Sequence, residues 1–376
     1  MTVSNQKRPR HKKTAVIFGI TSAIIFLLFL IRSDIAIEYM KKGLKLCANT
    51  VIPSLFPFMV ISELIVKSGL GAKVGKLLSK PVKWLFGVGE GGACAFILGI
   101  ICGFPIGAKT ISSMMERGEI EKNEAERALT FCNNPGSAFV ISAVGVSLFG
   151  SLRLGVTLYA CVILSAVIVG TVGRIFIGKK TNSIHSNSVL CTSHSELPSA
   201  SPVVIFTSSI QSSASSMLTV CALVAFFSSF VGCLGAILEK LGAPTTLTAA
   251  IFGFFELSSG VGMTAELPPT SAILLSSIAL GWSGLSVHFQ VMSVCSGQNL
   301  SFKPYLIAKF CQGIVCSALT ALALKLFPLS EDAFAEITTS LTKSAPYSNA
   351  AFVCIVFFAA AICGIFLTFF SKNATK

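Results

Sequence analysis

The chain has 376 residues, of which 53% are hydrophobic and 12% charged, and its mean hydropathy is +0.79. These values exclude an ordinary soluble domain and predict a polytopic membrane protein. The net charge of +13 does not indicate nucleic-acid binding. The basic residues lie in short clusters between apolar runs, and no basic stripe is interleaved with aromatic residues.

The first predicted element follows a basic tail. Residues 1–13 form this tail, which we assign to the cytoplasm, and residues 14–48 are predicted to form a first transmembrane helix and an amphipathic connector. A cleaved signal peptide is disfavoured, because the apolar run 15–31 is long for such a signal and no small-residue cleavage site follows it.

Two related halves are predicted on either side of a polar linker. The halves span 49–177 and 203–328, the linker 178–202 is rich in Ser, Thr and Asn, and an outer loop and C-terminal transmembrane helix follow at 329–376. Each half contains two interrupted apolar runs, "GFPIG" and "NNPGS" in the first, "ELSSG" and "GWSGLS" in the second. Paired broken helices in two halves are typical of the inverted repeats of transporters.

The distribution of Lys and Arg supports this topology. If segments 93–117 and 246–268 are re-entrant hairpins, most basic residues and both termini fall on the cytoplasmic side. Two full spans in their place would move the basic residues of 174–180 to the outside. The predicted fold is therefore an all-α polytopic membrane protein with two inverted repeats, re-entrant hairpins and discontinuous transmembrane helices.

The first interruption lies in an apolar run that is too short to span. As a helix, residues 92–103 rise about 18 Å, roughly half of the hydrocarbon core. We predict that the chain turns back here, and that free N–H groups at positions 106–108 form an anion site at the new helix end. A proline kink in an ordinary span, with the lysine reaching the interface, is the alternative. The predicted substrate-binding residues here are Gly103, Phe104, Pro105, Gly107 and Lys109.

The second interruption combines two amides with a helix break. Asn133 and Asn134 offer donors and acceptors, Pro135 and Gly136 break the helix, and Ser137 is expected to cap the next half. Because amides are costly in hydrocarbon unless they are partnered, we predict contact with a substrate or ion. Hydrogen bonding between helices is the alternative.

Ionisable residues inside apolar runs are candidates for ion coupling. Glu256 and Glu63 are predicted to bind a proton or Na⁺, although Glu63 lies near a helix end and could instead reach the interface. His288 could shuttle protons or form a structural hydrogen bond. The substrate-binding residues predicted in the second half are Ser258, Ser259, Gly260, Ser283 and Gly284.

Two further observations concern a proline-containing helix and the cysteine and histidine motifs. Pro53 and Pro57 lie four residues apart in an apolar helix, which predicts a loosened helix that walls a cavity. The chain has neither a C-x-x-C nor an H-E-x-x-H motif, and its cysteines are interpreted as packing residues. We therefore expect no metal, no cofactor and no enzymatic activity.

Four stretches together resemble a known family. "VIPSLFPFMVISELI", "GFPIGAKT", "EAERALTFCNNPGSAFV" and "GLSVHFQV" look like the YlbJ (SpoVV) family of sporulation integral membrane proteins of endospore-forming bacteria. That family belongs to the nucleoside-recognition Gate group and is similar to concentrative nucleoside transporters. The resemblance implies a transporter of the outer forespore membrane that moves dipicolinic acid towards the forespore by alternating access.

The physical prediction is compatible with such a substrate. Half-helix ends near Pro105 and Ser258, together with Lys109 and the amides of Asn133 and Asn134, suit the carboxylates of dipicolinate. Phe104 or Phe255 could stack on its ring. The expected partners are this anion, the lipid bilayer and a coupling H⁺ or Na⁺, but not nucleic acid; a homo-oligomer is left open. The alternatives are a spore-maturation assembly protein without transport and a nucleoside-type transporter.

Overall fold

A computed structural model of the chain describes residues 10–177 and 201–328. The start of the basic tail, nearly all of the predicted linker, and the predicted outer loop and C-terminal helix at 329–376 lie outside the described residues. Within the described ranges every regular element is a helix. This agrees with a chain whose backbone polar groups must find partners inside a bilayer.

Residues 10–177 contain nine α-helices and two π-helices. The π-helix Cys47–Val51 joins α2 to α3, and the π-helix Ala138–Leu148 precedes α9. The α-helices are α1 (Arg10–Ile31), α2 (Ser33–Leu46), α3 (Ile52–Lys67), α4 (Gly71–Lys76), α5 (Ser79–Phe86), α6 (Glu90–Cys102), α7 (Ile106–Glu116), α8 (Lys122–Cys132) and α9 (Leu152–Ile177).

The described part of the second half contains six α-helices and two short 3₁₀ turns. The turns, Thr264–Glu266 and Ser296–Gln298, follow the third and fifth of these α-helices. The α-helices are α10 (Pro202–Lys240), α11 (Thr245–Phe255), α12 (Leu257–Met263), α13 (Pro269–Trp282), α14 (Gly284–Val294) and α15 (Lys303–Leu326).

The four predicted interruptions are confirmed as helix breaks. Break 1 (residues 103–105) separates α6 from α7, and break 2 (residues 133–137) separates α8 from the π-helix that follows it. Break 3, at Glu256, separates α11 from α12, and break 4, at Ser283, separates α13 from α14. Each half therefore contains a long helix, two broken helices and a further long helix, in that order.

The helices at breaks 1 and 3 turn back on themselves. A Cβ on Gly91, near the start of α6, would lie 3.5 Å from Met114 Sδ near the end of α7, and one on Gly99 would lie 3.4 Å from Gly107 Cα. The helices α6 and α7 are thus antiparallel. Across break 3, α11 and α12 approach so closely that a Cβ on Gly260 would lie 2.1 Å from Gly253 Cα.

One long helix pair supports these hairpins. The continuous helical stretch from α2 to α3 runs antiparallel to α10. Ser229 Oγ donates to Ala36 O at 3.0 Å near one end, and Ser212 Oγ donates to Glu63 Oε1 at 3.1 Å near the other.

Several helices are long and apolar enough to cross a bilayer. In the described ranges four spans meet this test, or up to six if each of two sharply bent helix pairs counts as one span. The four are Leu152–Ile175, Pro202–Lys240, Pro269–Val294 and Lys303–Leu326. The chain is therefore an integral, multi-pass membrane protein.

Candidate functional site: a cavity at the helix breaks

A cavity of about 630 Å³ lies where three of the breaks converge. Phe104 lines it from break 1, Gly136 from break 2 and Glu256 from break 3, while Gln290 lines it from α14. Its volume falls in the range of roughly 300–1,000 Å³ that is usual for small-molecule sites. Pro53 also lines the cavity, which confirms the wall predicted from the two prolines of α3.

The lining combines aromatic surface with neutral polar groups and one carboxyl. Among the described residues that line the cavity there is no Lys or Arg. Phe58, Phe104 and Phe139 supply ring surface. The polar lining includes Asn49, Ser137, Ser142, Glu256, Ser258 and Gln290.

The breaks contact each other in pairs because glycine permits close backbone approach. Gly103 has φ +85°, and a Cβ there would lie 2.5 Å from Gly136 N, so breaks 1 and 2 touch. Gly284 has φ +83°, and its Cβ would lie 3.0 Å from Leu257 N, so break 4 touches break 3. Any other residue would be strained at both glycines and would also clash at Gly103.

The N–H groups after break 1 are partnered, not free. Ile106 N donates to Gly103 O at 3.0 Å, and Ala108 N donates to Asn133 Oδ1 at 2.8 Å. The expectation of free N–H groups is therefore wrong at these two positions, because the amide of break 2 reaches across and accepts one of the hydrogen bonds.

Side chains from neighbouring helices also partner the carbonyl ends at breaks 1 and 3. Tyr159 OH on α9 donates to Ile100 O at 2.7 Å, and Trp282 Nε1 on α13 donates to Phe254 O at 3.0 Å. Both carbonyls lie in the last turn of a half-helix, where no intrahelical donor is available. The two hairpin tips are thus held by protein groups at both of their helix ends.

Break 2 is held by a buried lysine that the sequence analysis missed. Lys309, which is 1% exposed, donates from Nζ to Asn133 O and to Gln312 Oε1, each at 2.8 Å. Gln312 Nε2 in turn donates to Asn134 Oδ1 at 2.8 Å. The two asparagines therefore join helices of the two halves, as their alternative interpretation had it. Ser137 makes no side-chain cap, contrary to expectation, because its backbone angles (φ −55°, ψ −41°) are already helical and not those of an N-cap residue.

At break 3 the carboxylate of Glu256 caps the helix that follows it. Its Oε1 accepts from Ser258 N at 3.1 Å and its Oε2 accepts from Ser259 N at 2.6 Å. Glu256 is 2% exposed and lines the cavity together with Ser258. The N–H donors predicted for a substrate anion are thus occupied by the protein's own carboxylate in this conformation.

Lys109 and Glu63 lie away from the cavity, in a polar network between α3, α7 and α10. Lys109 Nζ donates to Ser216 Oγ at 2.9 Å. Glu63 accepts from Ser113 and Ser212, each at 3.1 Å, and its Oε1 lies 3.4 Å from Lys67 Nζ. The N–H of Ala108 beside Lys109 is not free, and the alternative that Glu63 reaches the interface is wrong, because its buried carboxylate is bonded inside the fold. Ion coupling by Glu63 stays a prediction.

His288 lies in a buried aromatic cluster behind the cavity wall. Its Nδ1 lies 2.9 Å from Tyr305 OH, and its ring meets Trp282 edge-on with centroids 4.3 Å apart. Its Nε2 has no hydrogen-bond partner among the described residues. A structural hydrogen bond, one of the two interpretations of this histidine, is therefore present, while proton transfer stays a prediction.

The structure brings together only some of the predicted site residues. Those that line the cavity are Phe104, Gly136, Ser137, Glu256 and Ser258. The remaining predicted glycine, proline, serine and asparagine residues lie in or next to the breaks, whereas Lys109 and Glu63 lie in the polar network and His288 in the aromatic cluster. Lys309 and Gln312 were missed, although the signal was available, because a lysine inside the apolar run 304–327 meets the same criterion that selected Glu256.

The fold and the cavity define a multi-pass membrane protein with a central polar site between broken helices. Comparison with known proteins finds a similar sporulation protein. The sporulation integral membrane protein YlbJ of Bacillus subtilis (strain 168) is 29% identical to the chain over 336 residues, which cover 82% of each. No family model matches the chain, and no solved structure matches it. The similarity supports assigning the chain to the YlbJ family and agrees with a membrane role in sporulation.

Proposed function

We propose that the chain is a membrane transporter whose solute binds in the central cavity, and that this solute is a small anion, dipicolinate, moved across the outer forespore membrane during sporulation. The observation that carries the proposal is the convergence of breaks 1, 2 and 3 on one cavity of about 630 Å³. Broken helices that meet at a solute site are the common design of secondary transporters.

The polar network of α3, α7 and α10 supports alternating access. Phe58 on α3, Phe104 in break 1 just before α7, and Val220 on α10 line the cavity. Further along α3, α7 and α10, Glu63 accepts hydrogen bonds from Ser113 and Ser212. We propose that this network closes one side of the cavity. Because α10 contributes only serine hydroxyls, its separation would break hydrogen bonds but would leave Glu63 paired with Lys67 on α3.

The charge of the cavity constrains the mechanism. A dianion would meet the carboxyl of Glu256 and no basic side chain among the described lining residues. Lys309 lies behind break 2, but its ammonium is engaged with Asn133 and Gln312. We therefore propose that a co-transported H⁺ or Na⁺ compensates the charge, with Glu256 as the coupling residue. Protonation of Glu256 would release the N–H groups of Ser258 and Ser259 into the cavity.

The test is solute uptake into vesicles that contain the purified protein. We expect labelled dipicolinate to accumulate, and to do so faster when a proton or Na⁺ gradient is imposed. Uptake that is insensitive to pH, to Na⁺ and to membrane potential would reject the coupling proposal. A correctly inserted protein that moves no solute would favour the assembly role.

A nucleoside is the second candidate solute, and one observation favours it. The amides of Asn49 and Gln290 and the hydroxyl of Ser258 line the cavity beside aromatic rings. This lining suits a neutral ring with hydrogen-bonding substituents better than it suits an isolated dianion. The same vesicles would decide between the two, since uptake of labelled uridine without uptake of dipicolinate would overturn the assignment of the solute.

A further inference from the structure

The helices α4 and α5 (Gly71–Phe86) precede the first hairpin, α6–α7, and we call this segment the corner because α5 meets α6 at a sharp angle. The segments Ser79–Phe86 and Glu90–Cys102 meet at an angle of 99°. Since α6 runs into the fold towards break 1, α5 lies across the end of the hairpin. This is the orientation of a helix that lies in the plane of a membrane surface.

One face of this corner is basic. Lys73, Lys76, Lys80 and Lys83 are all exposed. None of the four lies within ion-pair distance of a carboxylate among the described residues. Four unpaired ammonium groups within eleven residues attract the anionic headgroups of a membrane surface.

Large apolar side chains lie exposed beside these lysines in the sequence. Leu77 is 77% exposed and Trp84 is 76% exposed. Exposed tryptophan and leucine beside lysine are characteristic of segments at the level of lipid headgroups, where the ring enters the interface and the ammonium meets the phosphates.

The opposite face of the corner is anchored in the fold. Val82 and Phe86 are buried, and the ring of Phe86 stacks on Phe131 with centroids 3.9 Å apart. Arg127 Nη1 donates to Gly87 O at 2.9 Å, and Arg174 donates to the carbonyl of Trp84. The exposed face is therefore held in one orientation by α8 and α9.

We propose that the exposed face of Gly71–Phe86 binds the surface of a bilayer that contains anionic phospholipid, and so fixes the base of the first hairpin at the membrane interface. Lys73, Lys76, Lys80 and Lys83 contact the headgroup phosphates, and Leu77 and Trp84 enter the interface. This inference does not depend on what the cavity binds.

Trp84 provides a native probe, because the chain has two tryptophans and the other, Trp282, is 6% exposed. The full-length protein and its Trp84→Phe variant are reconstituted into nanodiscs of phosphatidylcholine that contain brominated phosphatidylglycerol or, separately, brominated phosphatidylcholine. The difference between the two proteins isolates the fluorescence of Trp84. We expect the anionic brominated lipid to quench it at least about twofold more strongly than the neutral one at equal mole fraction.

Charge variants then test the cause of this preference. Replacing the four lysines by Gln should make the two lipids quench equally, whereas replacing them by Arg should preserve the preference. Gln at Lys41, Lys42 and Lys45 on α2 is the matched control and should change nothing. If the fourfold Gln variant fails to fold, the Lys80→Gln/Lys83→Gln variant replaces it and should lower the preference. Equal quenching in the wild type, or an unchanged preference after loss of the lysines, would overturn the inference.

Discussion

The tips at breaks 1 and 3 have similar geometry but differ in what holds them. At break 1 the N–H of Ala108 is bonded by Asn133, a neutral amide from another element that is 1% exposed. At break 3 the N–H groups of Ser258 and Ser259 are bonded by Glu256, an ionisable residue of the break itself. The first tip is fixed by a partner that cannot change its charge, whereas the second can respond to a proton or an ion.

This difference indicates that break 1 has a structural role in the proposed transporter and that break 3 takes part in transport. Asn133 is itself held, since its carbonyl accepts from Lys309. Glu256 lies on the cavity wall, where a solute or a coupling ion would meet it. We therefore expect substitutions at break 1 to act mainly on stability, and substitutions at break 3 to act mainly on transport.

The largest expected effect on stability concerns the close backbone contacts that glycine permits near both tips, at Gly99 for break 1 and at Gly260 for break 3. In Gly99→Ala the new Cβ would lie 1.9 Å from Cys132 O, which is backbone and cannot move aside. We expect a loss of about 3 kcal/mol or more in unfolding free energy, or failure to fold. Gly262→Ala is the control, because its Cβ would have no neighbour within 4 Å. Denaturation in detergent measures both, and equal stability of the two variants would refute the close contact.

The next effect concerns the lysine behind break 2. Lys309→Met would leave Asn133 O and Gln312 Oε1 without their donor, and we expect a loss of about 2 kcal/mol in unfolding free energy. Lys325→Met, an exposed change near the end of the same helix, should cost little. Unfolding in detergent compares the two variants. A Lys309→Met protein as stable as wild type would show that the ammonium is not needed at the break.

A smaller effect is expected at break 1 itself. Asn133→Ala removes the acceptor of Ala108 N–H, and we expect a loss of about 1–2 kcal/mol in unfolding free energy with transport retained in the protein that folds. The exposed Asn123→Ala in the first turn of α8 serves as its control. Uptake abolished by Asn133→Ala at normal stability would place this amide in the transport step and would remove the contrast between the tips.

The smallest effect on stability, and the largest on transport, is expected at break 3. Glu256→Gln keeps one of the two acceptor oxygens of the cap and leaves the other serine N–H facing an amide donor, so unfolding free energy should fall by about 1 kcal/mol. Uptake should lose its dependence on the proton or Na⁺ gradient, because the residue can no longer gain or lose charge. Glu239→Gln, exposed near the end of α10, should keep that dependence. A gradient dependence that survives Glu256→Gln would assign coupling to another group.

The sequence predicted where the helices break but not what closes the breaks. Glycine and proline mark the breaks locally, which is why all four positions were correct. The closing donors come from far along the chain. Tyr159 is 59 residues from Ile100, and Lys309 is 176 residues from Asn133. No periodicity reports such pairs. The free N–H groups predicted after break 1 are wrong at positions 106 and 108, because Gly103 O and Asn133 Oδ1 accept those hydrogen bonds, while anion binding there stays a prediction.

Solute uptake by a cavity-filling variant tests the central claim most directly. Ser142→Phe would place a ring in the cavity, whereas Ser215→Phe would place the same ring on an exposed face of α10. Both proteins are reconstituted at equal density and tested with labelled dipicolinate and uridine. We predict that Ser142→Phe takes up neither solute above the level of protein-free vesicles, while Ser215→Phe matches wild type. Wild-type uptake of either solute by a correctly folded Ser142→Phe protein would contradict the assignment of the cavity as the solute site.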